Sequence, residues 1–212
     1  MATAPTAIWY PTEGEMVDAN VYTPLAFEKD LPCDPNGAPI QLLPTEENSI
    51  VAVVDMARRL SRDTSLRIGV AMPLKTREWF SAHPERINDA QEIYSLAHPE
   101  VGRGRKDVGG EIWIVVTTQD LIPAGAHFAF AQHYFPEQIS VVSNARLKMR
   151  TDNVLIRSWE EDRTEKLLLR TIALQYYKTP RSSDPASLTY SPLLSADQLD
   201  PMPSTLNPPP RR

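Results

Sequence analysis

The chain has 212 residues, 42% of them hydrophobic, with 22 Lys+Arg against 27 Asp+Glu for a formal charge of -5; this describes a globular domain with room for tails. The acidic balance argues against a protein that holds nucleic acid by neutralising phosphates. A single cysteine, Cys33, excludes an internal disulfide framework and a multi-cysteine zinc site, and no apolar run approaches the ~20 residues that span a bilayer.

Met1–Pro11 has neither the basic start nor the apolar stretch of a secretory signal, so the expected compartment is the cytoplasm or an organelle interior. Proline is abundant and uneven, 20 against 8 glycines. Seven prolines fall at 5, 11, 24, 32, 35, 39 and 44. Each removes a backbone donor, so residues 1–44 are expected as an extended arm without a long helix or a central strand. Ile8–Tyr10 could add one short strand, and Cys33–Gly37 reads as a turn. Thr45 is expected to cap a helix, with Glu46 and Glu47 in its first turn and an apolar stripe at Ile50, Val53, Val54, Ala57 and Leu60. Leu66–Val70 alternates like a strand, and 86–97 is expected as a second helix. Gly102–Asp107 reads as a basic loop that could receive a phosphate or an acidic partner. Glu111–Thr117 is rich in Ile, Val and Trp and reads as a buried strand. Strands near His127–Ala131 and Ile139–Ser143 would complete a small meander. Ser158 with Glu161 fits a capping box for a last helix, whose apolar face is Leu168, Leu169, Ile172, Ala173 and Tyr176 and whose stop is Thr179-Pro180. Eight prolines, Pro180 included, fall between 180 and 210, the composition of an extended tail.

Candidate chemistry is sparse. A zinc site needs at least three spaced ligands, and the histidines His83, His98, His127 and His133 form no H-x-x-x-H pair. His83 and His98 each precede a proline and read as loop or turn positions. His127 and His133 read as partly buried residues bonded to backbone. The rival is a relocated hydrolytic site that joins them to Glu137 or Asp120. There is no Gly-x-Ser-x-Gly elbow, phosphate loop or dinucleotide fingerprint. Cys33 has no evident base to activate it, and Glu160, Glu161 and Asp162 suit the start of a helix.

One resemblance organises the second half of the chain. The strand Glu111–Thr117, Asp120-Leu121, Pro123, the run Ala126–Gln132, the run Ile139–Leu147, the bases Arg163 and Lys166, and Tyr190–Ser195 with Asp197, Leu199 and Asp200 together resemble the archaemetzincin family of zinc metallopeptidases. The resemblance implies an α/β fold: a metzincin-like mixed sheet packed by two or three helices, spanning 45–178, between the proline-rich arm 1–44 and the tail 179–212. Metzincins carry H-E-x-x-H-x-x-G-x-x-H, in which two histidines share a helix face, the glutamate is the general base and the glycine turns the chain to a third ligand. In register, Arg170 takes the first histidine, Thr171 the glutamate, Leu174 the second histidine, Tyr177 the glycine and Pro180 the third histidine, with Thr189 near the turn methionine. Arginine is a permanent cation, leucine offers no lone pair and threonine is no base at neutral pH. The implied function is therefore a catalytically inactive metallopeptidase-like protein without a cofactor, acting as an accessory subunit that meets other proteins through residues 1–44 and 179–212. An alternative is a peptide-binding module in which Arg170 grips a carboxylate, with His127 and His133 as further binding residues.

Overall fold

The computed structural model describes residues 36–123, 126–147 and 154–206. Its centre is a five-stranded sheet in the order β2-β1-β3-β5-β4. The strands are β1 (Ile40–Pro44), β2 (Ile68–Val70), β3 (Ile112–Thr117), β4 (Ala131–Tyr134) and β5 (Ile139–Ser143). The first three and β5 run parallel, and only the edge strand β4 is antiparallel to its neighbour β5. Residues 111–143 are therefore no meander: β3 and β5 lie side by side in the same direction, and β4 turns back outside them.

The helices are α1 (Ile50–Thr64), α2 (Arg77–Ala82), α3 (Ala90–Asp107) and α4 (Val154–Gln175). Strand residues alternate between two packed layers, as the period of two requires. Ile112, Ile114 and Val116 face α1 and α4, whereas Trp113 and Val115 face α3 and Phe80 of α2. Both faces are covered, which is why β1, β3 and β5 are buried along their whole lengths, with apolar residues on both sides of the sheet. The expected mixed sheet packed by helices is present.

Several expectations need correction. β1 lies inside the segment read as an arm, between β2 and β3. Pro39 precedes it and Pro44 is its last residue, so Ile40–Leu43 keep every amide that the sheet needs. The first helix is capped by Ser49, whose Oγ accepts from Ala52 N, and not by Thr45. Thr45 is fully buried and bridges to Leu74. Glu46 and Glu47 are not in that helix either: Glu46 Oε1 accepts from the amides of Thr76 and Arg77, and Glu47 Oε1 from Thr76 Oγ1 at 2.8 Å.

The second helix begins later and runs further than expected. Asp89 caps it, accepting from Gln91 N at 2.9 Å, and it continues through His98, Pro99 and the stretch 102–107. The supposed basic loop is thus helical, and Gly104 is where α3 packs closest to the sheet, against Trp113. α4 starts at Val154, so Ser158 is interior to it, and it ends at Gln175 before Lys178 turns with φ 55°.

The described tail does not extend away from the domain. Leu188, Leu199 and Met202 are buried in the α1/α4 core. Arg163 of α4 holds Asp200 with both Nε and Nη2 at 2.7 Å, and Lys166 Nζ donates to the Asp200 carbonyl at 3.0 Å. Residues 179–206 therefore complete this chain's own core. Ile8–Tyr10, Cys33 and the rest of 1–35 lie outside the described residues. Among the described residues no helix is long and apolar enough to cross a membrane.

Candidate functional site

α4 presents Arg170, Thr171, Leu174 and Gln175 toward the sheet and the returning tail. Apolar neighbours Leu167, Leu168, Leu169, Ile172 and Ala173 seat the helix in the core, and this fixes the polar residues between them. Arg170 is only 7% exposed. Its Nε and Nη2 donate to the Tyr190 carbonyl at 3.3 and 3.0 Å. Among the described residues no carboxylate pairs with it. Burial, and then the charge of Arg181, hold its guanidinium down at about 10.

Thr171 is fully buried, and its hydroxyl donates to the Leu167 carbonyl one turn back at 2.9 Å. Leu174 is buried hydrocarbon. Pro180 is exposed, and its carbonyl accepts from Thr189 Oγ1 at 2.9 Å, which pins the chain leaving α4 to the returning tail.

One turn beyond Thr171, Gln175 is fully buried. Its Nε2 donates to Ser140 Oγ at 3.0 Å, and that oxygen lies 2.9 Å from His133 Nδ1. His133 and Ser140 are direct partners across β4 and β5, so the period-two pleat puts both on the α4 face. Either the serine hydroxyl or His133 Nδ1–H can be the donor in that contact, because a hydroxyl oxygen can accept twice. Among the described residues His133 Nε2 and Gln175 Oε1 are buried without a hydrogen-bond partner. Burial first, then Arg170 and Arg181, push His133 down to about 4. The imidazole is therefore neutral at pH 7, and it shares one electrostatic environment with two guanidinium groups.

The other candidates lie elsewhere. His127 is exposed. Asp120 is held by Arg146 through Nε at 2.7 Å and Nη2 at 2.6 Å, so its carboxylate is already engaged. His83 stacks on Trp79 with ring centroids 4.1 Å apart, just past the end of α2. His98 lies within α3 and is not in a loop. His133 bonds a side chain, where a backbone partner was expected. Among the described residues no group of three or more His, Cys, Asp or Glu comes together to hold a metal ion, so the relocated site of His127, His133 and Glu137 or Asp120 does not assemble. Sequence reasoning missed Gln175 and Ser140. A glutamine inside the apolar run of α4 was the one available signal, since a buried amide requires partners.

The four register positions Arg170, Thr171, Leu174 and Pro180 do not fit zinc. They offer a guanidinium still charged at pH 7, a hydroxyl already bonded to backbone, a leucine and a prolyl ring, where three neutral or anionic lone-pair donors are needed.

No family model matches the sequence, and no curated protein is similar to it in sequence. Solved structures are similar to it in fold. The archaemetzincin of Archaeoglobus fulgidus, complexed with malonate, aligns with a TM-score of 0.57 at 17% identity over 78% of this chain and 93% of its own. The archaemetzincin of Methanopyrus kandleri gives 0.57 at 17% identity over 79% and 88%. A zinc-dependent peptidase of Methanocorpusculum labreanum gives 0.51 at 18% identity over 79% and 96%. The class is thus an α/β fold of the archaemetzincin type. At these identities the likeness concerns the backbone, and fold alone does not carry a function.

Proposed function

We propose that this chain is a metallopeptidase-like protein that works without zinc hydrolysis, binding a carboxylate group at Arg170 in an accessory, non-catalytic role. The single observation that carries the reading is the buried Arg170 guanidinium, which among the described residues meets one backbone carbonyl and no carboxylate. A buried cation is costly unless it is paired. A planar fork of N–H donors matches a carboxylate in both geometry and charge. Arg181 adds positive potential to the same environment. In the reading by register, Arg170 stands where a zinc ligand stands in a metzincin, so one fixed cation replaces a bound dication. A neighbour in fold was solved with malonate, and a small dicarboxylate is therefore the natural first probe. The accessory-subunit role is supported only by the proline-rich sequence, because the described tail is used within its own core.

Titration of the full chain with malonate, with acetate and with a short peptide bearing a free or an amidated C-terminus tests this. The expected result is saturable binding of the carboxylates, lost in Arg170→Met and absent for the amidated peptide. A malonate affinity that is unchanged in Arg170→Met would refute the reading.

A further inference from the structure

A crevice whose lining does not include Arg170 opens at one end of the sheet. From β1 the chain passes through α1 to β2 on one side, then returns through α2 and α3 to β3 on the other. The carboxyl ends of β1 and β3 are therefore a topological switch point, where the connections diverge and leave a crevice. A cavity of about 460 Å³ opens there, lined by Leu42 and Val116 of the strands, Val51 of α1, Leu168 of α4, Glu47 and Asn144. That volume is in the range of small-molecule sites.

We infer that this crevice binds an ammonium or guanidinium group carried on a short apolar body. Two side chains of its wall, Glu47 and Asn144, each have an oxygen closed off from solvent with no hydrogen-bond partner among the described residues, Oε2 and Oδ1 respectively. Gln119, which donates to Glu47 Oε1 at 3.4 Å, has a third, its Oε1. All three atoms can only accept, so the missing complement is a donor. Glu47 is held in place from its other oxygen by Thr76 Oγ1 at 2.8 Å. Asn48 ties the same corner together, donating to the Val116 carbonyl at 2.8 Å and to Thr45 Oγ1 at 3.1 Å.

Charge agrees. The wall also contains Asp55, Glu160 and Glu161 beside Arg59; Asp55 is paired with Arg58 at 2.7 Å, and Arg59 is engaged by Glu165 at 2.8 Å and Glu161 at 3.6 Å. The start of α1, which would favour an anion, is already capped by Ser49. The hydrocarbon of Leu42, Val51, Val116 and Leu168 suits an alkyl stem. The same cation could arrive as a free amine or as a lysine or arginine side chain of a peptide.

The test is titration of the isotope-labelled full chain with n-butylammonium and n-butylguanidinium, with n-butanol and butyrate as neutral and anionic controls. N-acetyl-lysine amide and N-acetyl-arginine amide are the peptide arm, and the readout is the amide shifts of Asn48, Val51 and Asn144. The expected result is saturable shifts with the cations alone, weakened at least tenfold by Glu47→Gln and blocked by Val51→Trp, a change at an exposed position that leaves the core intact. Arg170→Met should have no effect, which separates this site from the carboxylate site. Tighter binding of the butyl cations than of the amides assigns a free amine; the reverse assigns a peptide side chain; either supports the site. Equal binding of n-butanol, indifference to both Glu47→Gln and Val51→Trp, or no shift at millimolar cation would overturn it.

Discussion

Replacing Arg170 by methionine separates a residue kept for binding from one kept for stability. A guanidinium held at about 10 in place of 12.5 by burial and by the charge of Arg181 bears a cost of roughly 3 kcal/mol. Its Nε and Nη2 share one acceptor, the Tyr190 carbonyl, and count together as one bond from a charged donor, which returns about 1.5 to 3 kcal/mol. Methionine fills a similar volume, removes the charge and gives up that bond. The net change expected for Arg170→Met is thus between zero and a gain of roughly 1.5 kcal/mol. Urea unfolding at pH 7 measures it, with the slope checked for constancy so that the midpoint reports stability. His133 should titrate at a higher pH in the variant, because one of the two cations that depress it is gone. A loss of roughly 3 kcal/mol or more, the cost of breaking a buried pair, would refute the reasoning and make Arg170 a structural pin for the returning tail.

Other consequences are independent of that residue. Gly104→Ala should destabilise by about 2 to 3 kcal/mol in thermal or urea unfolding, although alanine normally gains about 1 kcal/mol over glycine in a helix; the new Cβ would lie 2.3 Å from Trp113 Cη2. Glu165, between α1 and α4, is pushed from 4.5 up to about 7 by burial and by its hydrogen bond to Asp63, against the pull of Arg59. The folded chain therefore holds a proton there that the unfolded chain releases, so stability should fall as pH rises from 4.5 to 7, and Glu165→Gln should flatten that slope in pH-dependent unfolding. His133 has the opposite sign: the unfolded chain takes up a proton below 6.5 and the folded chain only near 4, so roughly 3 kcal/mol should be lost as pH falls across that window, and His133→Gln should remove the loss.

The sequence made the packed elements legible where period and composition agree. The α1 stripe is buried at Val53, Val54, Ala57 and Leu60, and the β-branched runs of β3 and β5 are strands within a residue of expectation. β1 was hidden because prolines were counted without their register. Pro39 and Pro44 bracket the strand and remove no amide from Ile40–Leu43. The second half of α3 was hidden because His98-Pro99 and two glycines have poor helix propensity, and packing of Ala97, Val101 and Gly104 against the sheet outweighs it. The candidate site was half legible. Arg170 and Leu174 are unfit for zinc by side-chain chemistry alone, which needs no coordinates. The His133–Ser140–Gln175 chain joins three elements distant in sequence, and the crevice beside Glu47 and Asn144 is created by strand order, which no local pattern encodes.

Zinc content bears most directly on the central claim. The full chain, purified without chelator, incubated with zinc and desalted, should carry far less than one zinc per molecule by elemental analysis, and its residual peptide hydrolysis should be indifferent to 1,10-phenanthroline. One tightly held zinc per chain, with a peptidase activity that the chelator abolishes and zinc restores, would contradict the account.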